Sequence, residues 1–156
     1  ETSLIGTTLK KTNLKGASLS GAGLIGANLA QAILREADLS KADVREGNLN
    51  GAVLREGILD SASLYGASLK EANLVGANLG KALLKRADLT NVDFSRANLF
   101  GADLEEADVI VLNDARPDGA SAELLRGFVE GGGGLLVVAG ESASWPVSAA
   151  DVLPGH

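Results

Sequence analysis

The chain of 156 residues contains no cysteine and one histidine, His156, its last residue. Without Cys there is no disulfide, no thiolate zinc site and no Cys nucleophile. With His only at the terminus, His-based proton transfer and His-rich metal sites are set aside as well. No catalytic residue, metal ligand or cofactor contact is assigned, and no enzyme is expected. Aromatic residues are few: Tyr65, Phe94, Phe100, Phe128 and Trp145. That leaves too few stacking platforms for single-stranded nucleic acid. No apolar run approaches the ~20 residues needed to cross a bilayer. No apolar leader opens the chain, and Glu1 is read as a trimmed or processed start. The net charge of −6 is uneven: residues 1–109 hold twelve Lys/Arg and fourteen Asp/Glu, residues 110–156 two and six. Such a balance gives no electrostatic footprint for nucleic acid or anionic lipid, so neither is expected as a partner. A soluble, cytoplasmic setting is the expectation.

What the chain has in abundance is a period. A large apolar residue recurs at every fifth position from Leu4 through Leu9, Leu14, Leu19, Leu24 and Leu29 to Leu104 and Val109, with Val44 and Phe94 as substitutes, giving 22 units between Thr2 and Val109. Two residues before each stands a second, usually small residue: Thr2, Thr7 and Thr12 at the start, then almost always Ala. A helix would rotate such a set around its whole circumference, because i+5 lies about 140° from i. A strand would send successive members to opposite faces. The side chains stay on one side only if the chain turns at every unit, an extended piece followed by a corner. The small residue at i−2 then faces inward too, since extended geometry puts i−2 and i on one side.

Repeats of fixed short period are the signature of a solenoid, whose units bury their faces only by stacking. The units Ala37-Asp38-Leu39-Ser40-Lys41, Ala72-Asn73-Leu74-Val75-Gly76 and Ala97-Asn98-Leu99-Phe100-Gly101 resemble the pentapeptide-repeat family. That resemblance implies an all-β solenoid: a right-handed quadrilateral β-helix with four units per coil and about five and a half coils. At ~4.8 Å per coil the rod is on the order of 25 Å long. A twenty-residue echo agrees with four units per coil, since Leu34-Arg35-Glu36 recurs as Leu54-Arg55-Glu56 and Leu4-Ile5-Gly6 as Leu24-Ile25-Gly26. Gly two residues after the Leu, as at Gly26 and Gly51, fits a corner needing unusual backbone angles. Asn or Asp just before the Leu, as at Asn28 and Asp38, can hydrogen-bond nearby backbone.

The outward positions carry the candidate contacts. Lys15, Arg35 and Arg55 fall in one column, with Glu36 and Glu56 beside the arginines. The column is either a recognition stripe or a solvated wall whose acids offset the repulsion. Tyr65, Val75 and Phe100 project outward as isolated apolar residues, and Ile58 and Leu83 form no evident patch; Tyr65 and Phe100 join the candidate surface contacts. At the start, Leu4, Leu9, Leu14 and Leu19 would have one side uncovered and an unpaired backbone edge. An upstream cap or a second molecule would satisfy that end, so a homodimer through Leu4, Leu9, Leu14 and Leu19 is one expectation. Thr at the inner positions of this first coil suits an end where polar atoms reach water.

The repeats occupy 1–109 and a different segment follows, 110–156. Asp108 to Leu112 and Leu135 to Val138 read as buried strands, Asn113 to Gly119 as a loop, and Ser121 to Glu130 as an amphipathic helix with Leu124, Leu125, Phe128 and Val129 on one face. Strands and helix of these lengths make a βαβ unit with parallel strands. Residues 109–141 resemble a fragment of a glutamine-amidotransferase-like, flavodoxin-type domain, with no catalytic residue to carry over. The segment is read as a cap on the last Leu layer or an appended fragment. Gly131 to Gly134 end the helix; a phosphate-cradling loop would have the reverse order, strand then loop then helix.

Two functions remain open. The first is a non-catalytic scaffold that displays side chains on flat walls to an unidentified protein partner. The second is implied by the family resemblance: some members resemble DNA in shape and charge and bind type II topoisomerases such as DNA gyrase. Mimicry of that kind requires a strongly negative rod, and the repeats are interspersed with Arg35, Arg45, Arg55, Lys85 and Arg86.

Overall fold

The computed structural model describes residues 2–107 and, beyond them, the backbone of β1 (Val109–Asn113) and β2 (Gly134–Val138). Residues 2–107 wind into a four-sided parallel coil. Each unit contributes one bridging residue to the unit twenty residues on, in an unbroken parallel series from Ser3↔Gly23 to Leu83↔Asp103. An offset of twenty with a turn every five residues fixes four units per coil, and 2–107 make a little over five coils.

One unit shows where the backbone groups go. Asp38 N–H donates to Ala17 on the preceding coil (2.9 Å), while Leu39 N–H donates to Ile58 (2.7 Å) and Lys41 N–H to Asp60 (2.9 Å) on the next. Ala42 N–H closes the corner on Leu39 O at 3.0 Å. The fifth amide, that of Ser40, has no place in this ladder, and Asp38 Oδ1 accepts it at 2.9 Å. A single side chain therefore completes the unit's donors, which a coil must satisfy wherever water is excluded.

The corner geometry is the same at every turn. Each fifth residue from Gly6 to Glu106 has positive φ, between 56° and 69°. Positive φ at the third of four turn residues is the requirement of a type II turn. Eight of these positions are Gly, as the sequence suggested; thirteen are not, among them Lys11, Glu36, Glu56 and Arg86. Left-handed backbone costs an L-residue about 1 kcal/mol or more, so the stacked coils impose the corner even where the residue resists it.

Inside runs the Leu ladder. From Leu24 to Leu89 every member, Val44 included, is fully buried, and the Ala residues at i−2 between them are at most 1% exposed. Each buried Leu contributes roughly 1.5–3 kcal/mol, an upper value because unfolded chains already hide some surface. The two ends differ. Leu4, Leu9 and Leu14 are half-buried and Leu19 is 9% exposed, whereas Leu99 and Leu104 are only 3% and 4% exposed. The uncovered side expected at the first coil is present for Leu4, Leu9 and Leu14 and nearly lost at Leu19. Two of the three inner Thr residues also bond within the coil. Thr7 Oγ1 donates to Leu4 O (2.7 Å) and Thr12 Oγ1 to Leu9 O (2.5 Å), doubling the corner bonds of their own amides.

β1 and β2 pair in parallel, with Val109 opposite Gly134 and Asn113 opposite Val138. The parallel pairing matches the expected strand–crossover–strand order. Asn113 and Gly134, assigned from sequence to a loop and to the helix end, are strand residues. The helix expected at 121–130, the region around Trp145 and any docking onto the coil lie outside the described residues.

Candidate binding surface

Only three positions of each unit face outward: i−1, i+1 and i+2 around the buried Leu. Much of what they carry serves the coil. All eleven Asn and Asp residues at i−1, from Asn13 to Asp103, accept the amide of the residue two further on, at 2.9–3.3 Å. Sequence reasoning gave these residues a structural role, and each has one. Where Ser68 stands at i−1, the amide of Lys70 is taken instead by Asn50 Oδ1 from the neighbouring coil (3.0 Å).

The charged residues balance. Residues 2–107 hold twelve Lys/Arg and twelve Asp/Glu. By walls, the one running through residues 42–46, 82–86 and 102–106 carries three cations and five acids, and the one through 12–16, 32–36 and 52–56 four cations and three acids. The first holds the densest network. Arg45 is bidentate on Asp43, Nε to Oδ1 at 2.7 Å and Nη2 to Oδ2 at 2.6 Å. Lys85 pairs with Glu105 (2.6 Å) and Glu106 (3.3 Å). Arg86 donates to Tyr65 Oη at 3.1 Å and stacks its guanidinium carbon 5.9 Å from the ring centre. Tyr65, a candidate contact, is thus half-buried beneath Arg86 and already partnered.

The titration of these groups follows their hydrogen bonds. The Arg45 guanidinium holds Asp43 below the usual carboxylate range, and the Lys85 ammonium does the same for Glu105. Ser40 lowers Asp38. Partial burial pushes Asp88 up, but the bonds from Thr90 and Lys70 outweigh it and the group ends lowered. Lys85 is raised by Glu105 and Glu106.

The column Lys15, Arg35, Arg55 forms as expected, but its acids do not neutralise the arginines. Glu36 reaches back one coil to Lys15 (3.5 Å). Among the described residues no ion pair engages Arg35 or Arg55, and Arg55 Nε is shut off from solvent with no hydrogen-bond partner. The stripe is therefore two free guanidinium groups and one paired ammonium. Ile58 and Leu83 lie on separate walls, but Ile33, 40% exposed, bridges Val53 on the next coil and makes an apolar pair on the arginine wall. Phe100 is 59% exposed. A depression of about 240 Å³ lies between Gln31, Asn50, Gly51, Lys70 and Glu71, where Gly51 carries no side chain. Among the described residues no group of His, Cys, Asp and Glu could hold a metal ion, and no helix is long and apolar enough to cross a membrane.

These features define a solenoid with a purely apolar core and four thin walls of displayed side chains. The family model for pentapeptide repeats (8 copies) matches it in overlapping stretches, 1–35, 12–51, 32–71, 48–86 and 77–109, which together span the coil. The chain belongs to the pentapeptide-repeat family. It is similar to a pentapeptide repeat protein from the cyanobacterium Cyanothece 51142, with 27% identity, 65% of this chain and 86% of that one covered, and a TM-score of 0.48. It is also similar to a pentapeptide repeat protein of the Arabidopsis thaliana thylakoid lumen (25%, 76% and 77%, 0.37) and to QnrB1, a plasmid-mediated fluoroquinolone resistance protein (20%, 89% and 92%, 0.31). No curated protein matches the chain.

Proposed function

We propose that the protein is a non-catalytic scaffold whose walls bind another protein. The observation that carries this reading is the division of labour between inside and outside. Among the described residues every side chain buried as a whole is aliphatic or Phe94, and no ionisable residue is among them. Catalysis calls for convergent polar groups in a water-excluding cleft with titrations tuned to the task. The shifted groups here are surface pairs whose partners hold them in their ordinary charged forms. What the coil offers instead is a rigid array of side chains at fixed rung spacing, and recognition is the use of such an array. The charge balance of the walls speaks for a protein partner and against imitation of a polyanion, which needs acid in excess along the whole rod. The reading includes a soluble, cytoplasmic setting and a second contact between copies through the half-buried Leu4, Leu9 and Leu14 with Leu19.

The test is a photo-cross-linking amino acid placed at one outward position per wall, in cells of the source organism. Cross-links to one protein from one wall are the expected result. Equal, low yields from all four walls would count against a displayed site.

A further inference from the structure

Two irregularities of the coil fall on the same two rungs. The first is electrostatic. Among the described residues, Arg35 and Arg55 are the one instance in which two cations without an acid partner occupy successive coils of one column. The amide of Glu36 donates to the carbonyl of Arg55, so their backbones are directly stacked. Like charges at that spacing repel, and elsewhere the coil answers with acids, as Glu105 and Glu106 answer Lys85. The second is apolar. Ile33 and Val53 are the one case among the described residues in which two aliphatic side chains follow each other in an i−1 column, positions otherwise held mainly by Asn, Asp and Ser. The two features share units: Ile33-Leu34-Arg35 and Val53-Leu54-Arg55 each present an apolar and a cationic group on either side of one buried Leu. Val75 then extends the arginine column with a further half-buried aliphatic residue.

We infer that this wall is a docking site for an acidic amphipathic helix of a partner protein, laid along the rod axis. The inference rests on the scaffold reading and gives it a place and a partner chemistry. The spacing selects the helix. Successive coils are ~4.8 Å apart, and a helix presents side chains at i and i+3 or i+4 with rises of about 4.5 and 6 Å. An extended strand repeats on one face at nearly 7 Å and falls out of step with the rungs. Carboxylates on one edge of the helix meet the forks of Arg35 and Arg55, which suit bidentate capture. Apolar residues beside them cover Ile33 and Val53. Glu36 and Glu56, exposed at the adjoining corner, disfavour a continuous polyanion on the same wall.

The probe is a fluorescein-labelled, hydrocarbon-stapled helical peptide with Glu at i, i+3 and i+7 on one edge and Leu beside them. Its controls are an isomer of equal charge with the acids scattered around the helix and an oligothymidylate of equal charge. Binding is followed by fluorescence anisotropy on the full chain. Saturable binding is expected to weaken at least about tenfold in Arg35→Gln/Arg55→Gln and in Ile33→Ser/Val53→Ser, and to stay unchanged in Lys81→Gln on another wall. Melting temperatures near wild type establish that the variants are folded, which their outward-facing positions favour. Equal binding of the scattered isomer, or tighter binding of the oligothymidylate, would overturn the helix. Absence of peptide binding would overturn the site, and cross-links from a different wall would then leave the scaffold reading standing.

Discussion

Cutting Leu54 back to Ala probes the ladder at its middle. Leu54 is fully buried, and the twenty-residue register puts it between Leu34 and Leu74, also fully buried. The coils above and below are fixed by their own hydrogen bonds, so the void cannot collapse. Leu→Ala at such sites costs 2–5 kcal/mol, and a surround that cannot collapse places this one in the upper half, at about 4 kcal/mol. For a domain of this size that lowers the melting midpoint by roughly 10 °C. The matched control is Leu9→Ala. Leu9 occupies the same position in its unit but is only half-buried in the first coil, so the loss falls to about 1–2 kcal/mol. Leu54→Asp would place a carboxylate where no donor waits and would abolish cooperative unfolding. Thermal melts followed by circular dichroism compare the three. Equal losses for Leu9→Ala and Leu54→Ala would refute the gradient of burial along the rod. A near-wild-type midpoint for Leu54→Asp would refute the inward assignment itself.

Further outcomes follow from the corners and walls. Gly26→Ala meets no atom within 4 Å, yet φ there is +63°; it is expected to cost about 1 kcal/mol of backbone strain alone, and chemical denaturation would show no loss if the corner were not left-handed. Asn73→Val removes the acceptor of the Val75 amide and should cost about 1 kcal/mol, read in the same way. Asp38, Asp43, Asp88 and Glu105 are held below their ordinary values, so their contribution is complete above about pH 4–5 and fades as pH falls through the lowered values. Stability should be level between pH 5 and 8 and decline below about 4; a decline already at pH 6 would implicate groups other than these. Added to a gyrase supercoiling reaction, the protein should leave the rate unchanged, and potent inhibition would restore the DNA-mimic alternative.

Much of this architecture is legible in the sequence because a period of five leaves a chain few ways to keep one side chain inside. The Leu positions, the Ala beside them and the caps by Asn and Asp follow from spacing and residue type; four units per coil is what the family resemblance implies, with the twenty-residue echo in agreement. The left-handed corner could be placed from glycines such as Gly26 and Gly51. That Glu36, Glu56 and Arg86 share it could not, because their conformation is imposed by the stack and not by the residue. The surface was harder to foresee. Arg35 and Glu36 are neighbours in sequence, yet Glu36 turns to Lys15, since a corner side chain reaches the preceding coil more readily than its own neighbour. Tyr65 looked free because its partner, Arg86, is a coil away. The pairing of Ile33 with Val53 is visible once the register of twenty is applied to outward as well as inward positions.

The central claim is that residues twenty apart are stacked on adjacent coils, and the lack of native cysteine allows a direct test. Ser20 and Ser40 face each other with hydroxyls 2.9 Å apart, whereas an α-helix would separate them by about 30 Å. In Ser20→Cys/Ser40→Cys, mild oxidation should form an intramolecular disulfide in nearly every molecule, while Ser20→Cys/Asp60→Cys, two coils apart, should form none. Failure of the first pair to link, or equal linking of both, would contradict the four-sided coil.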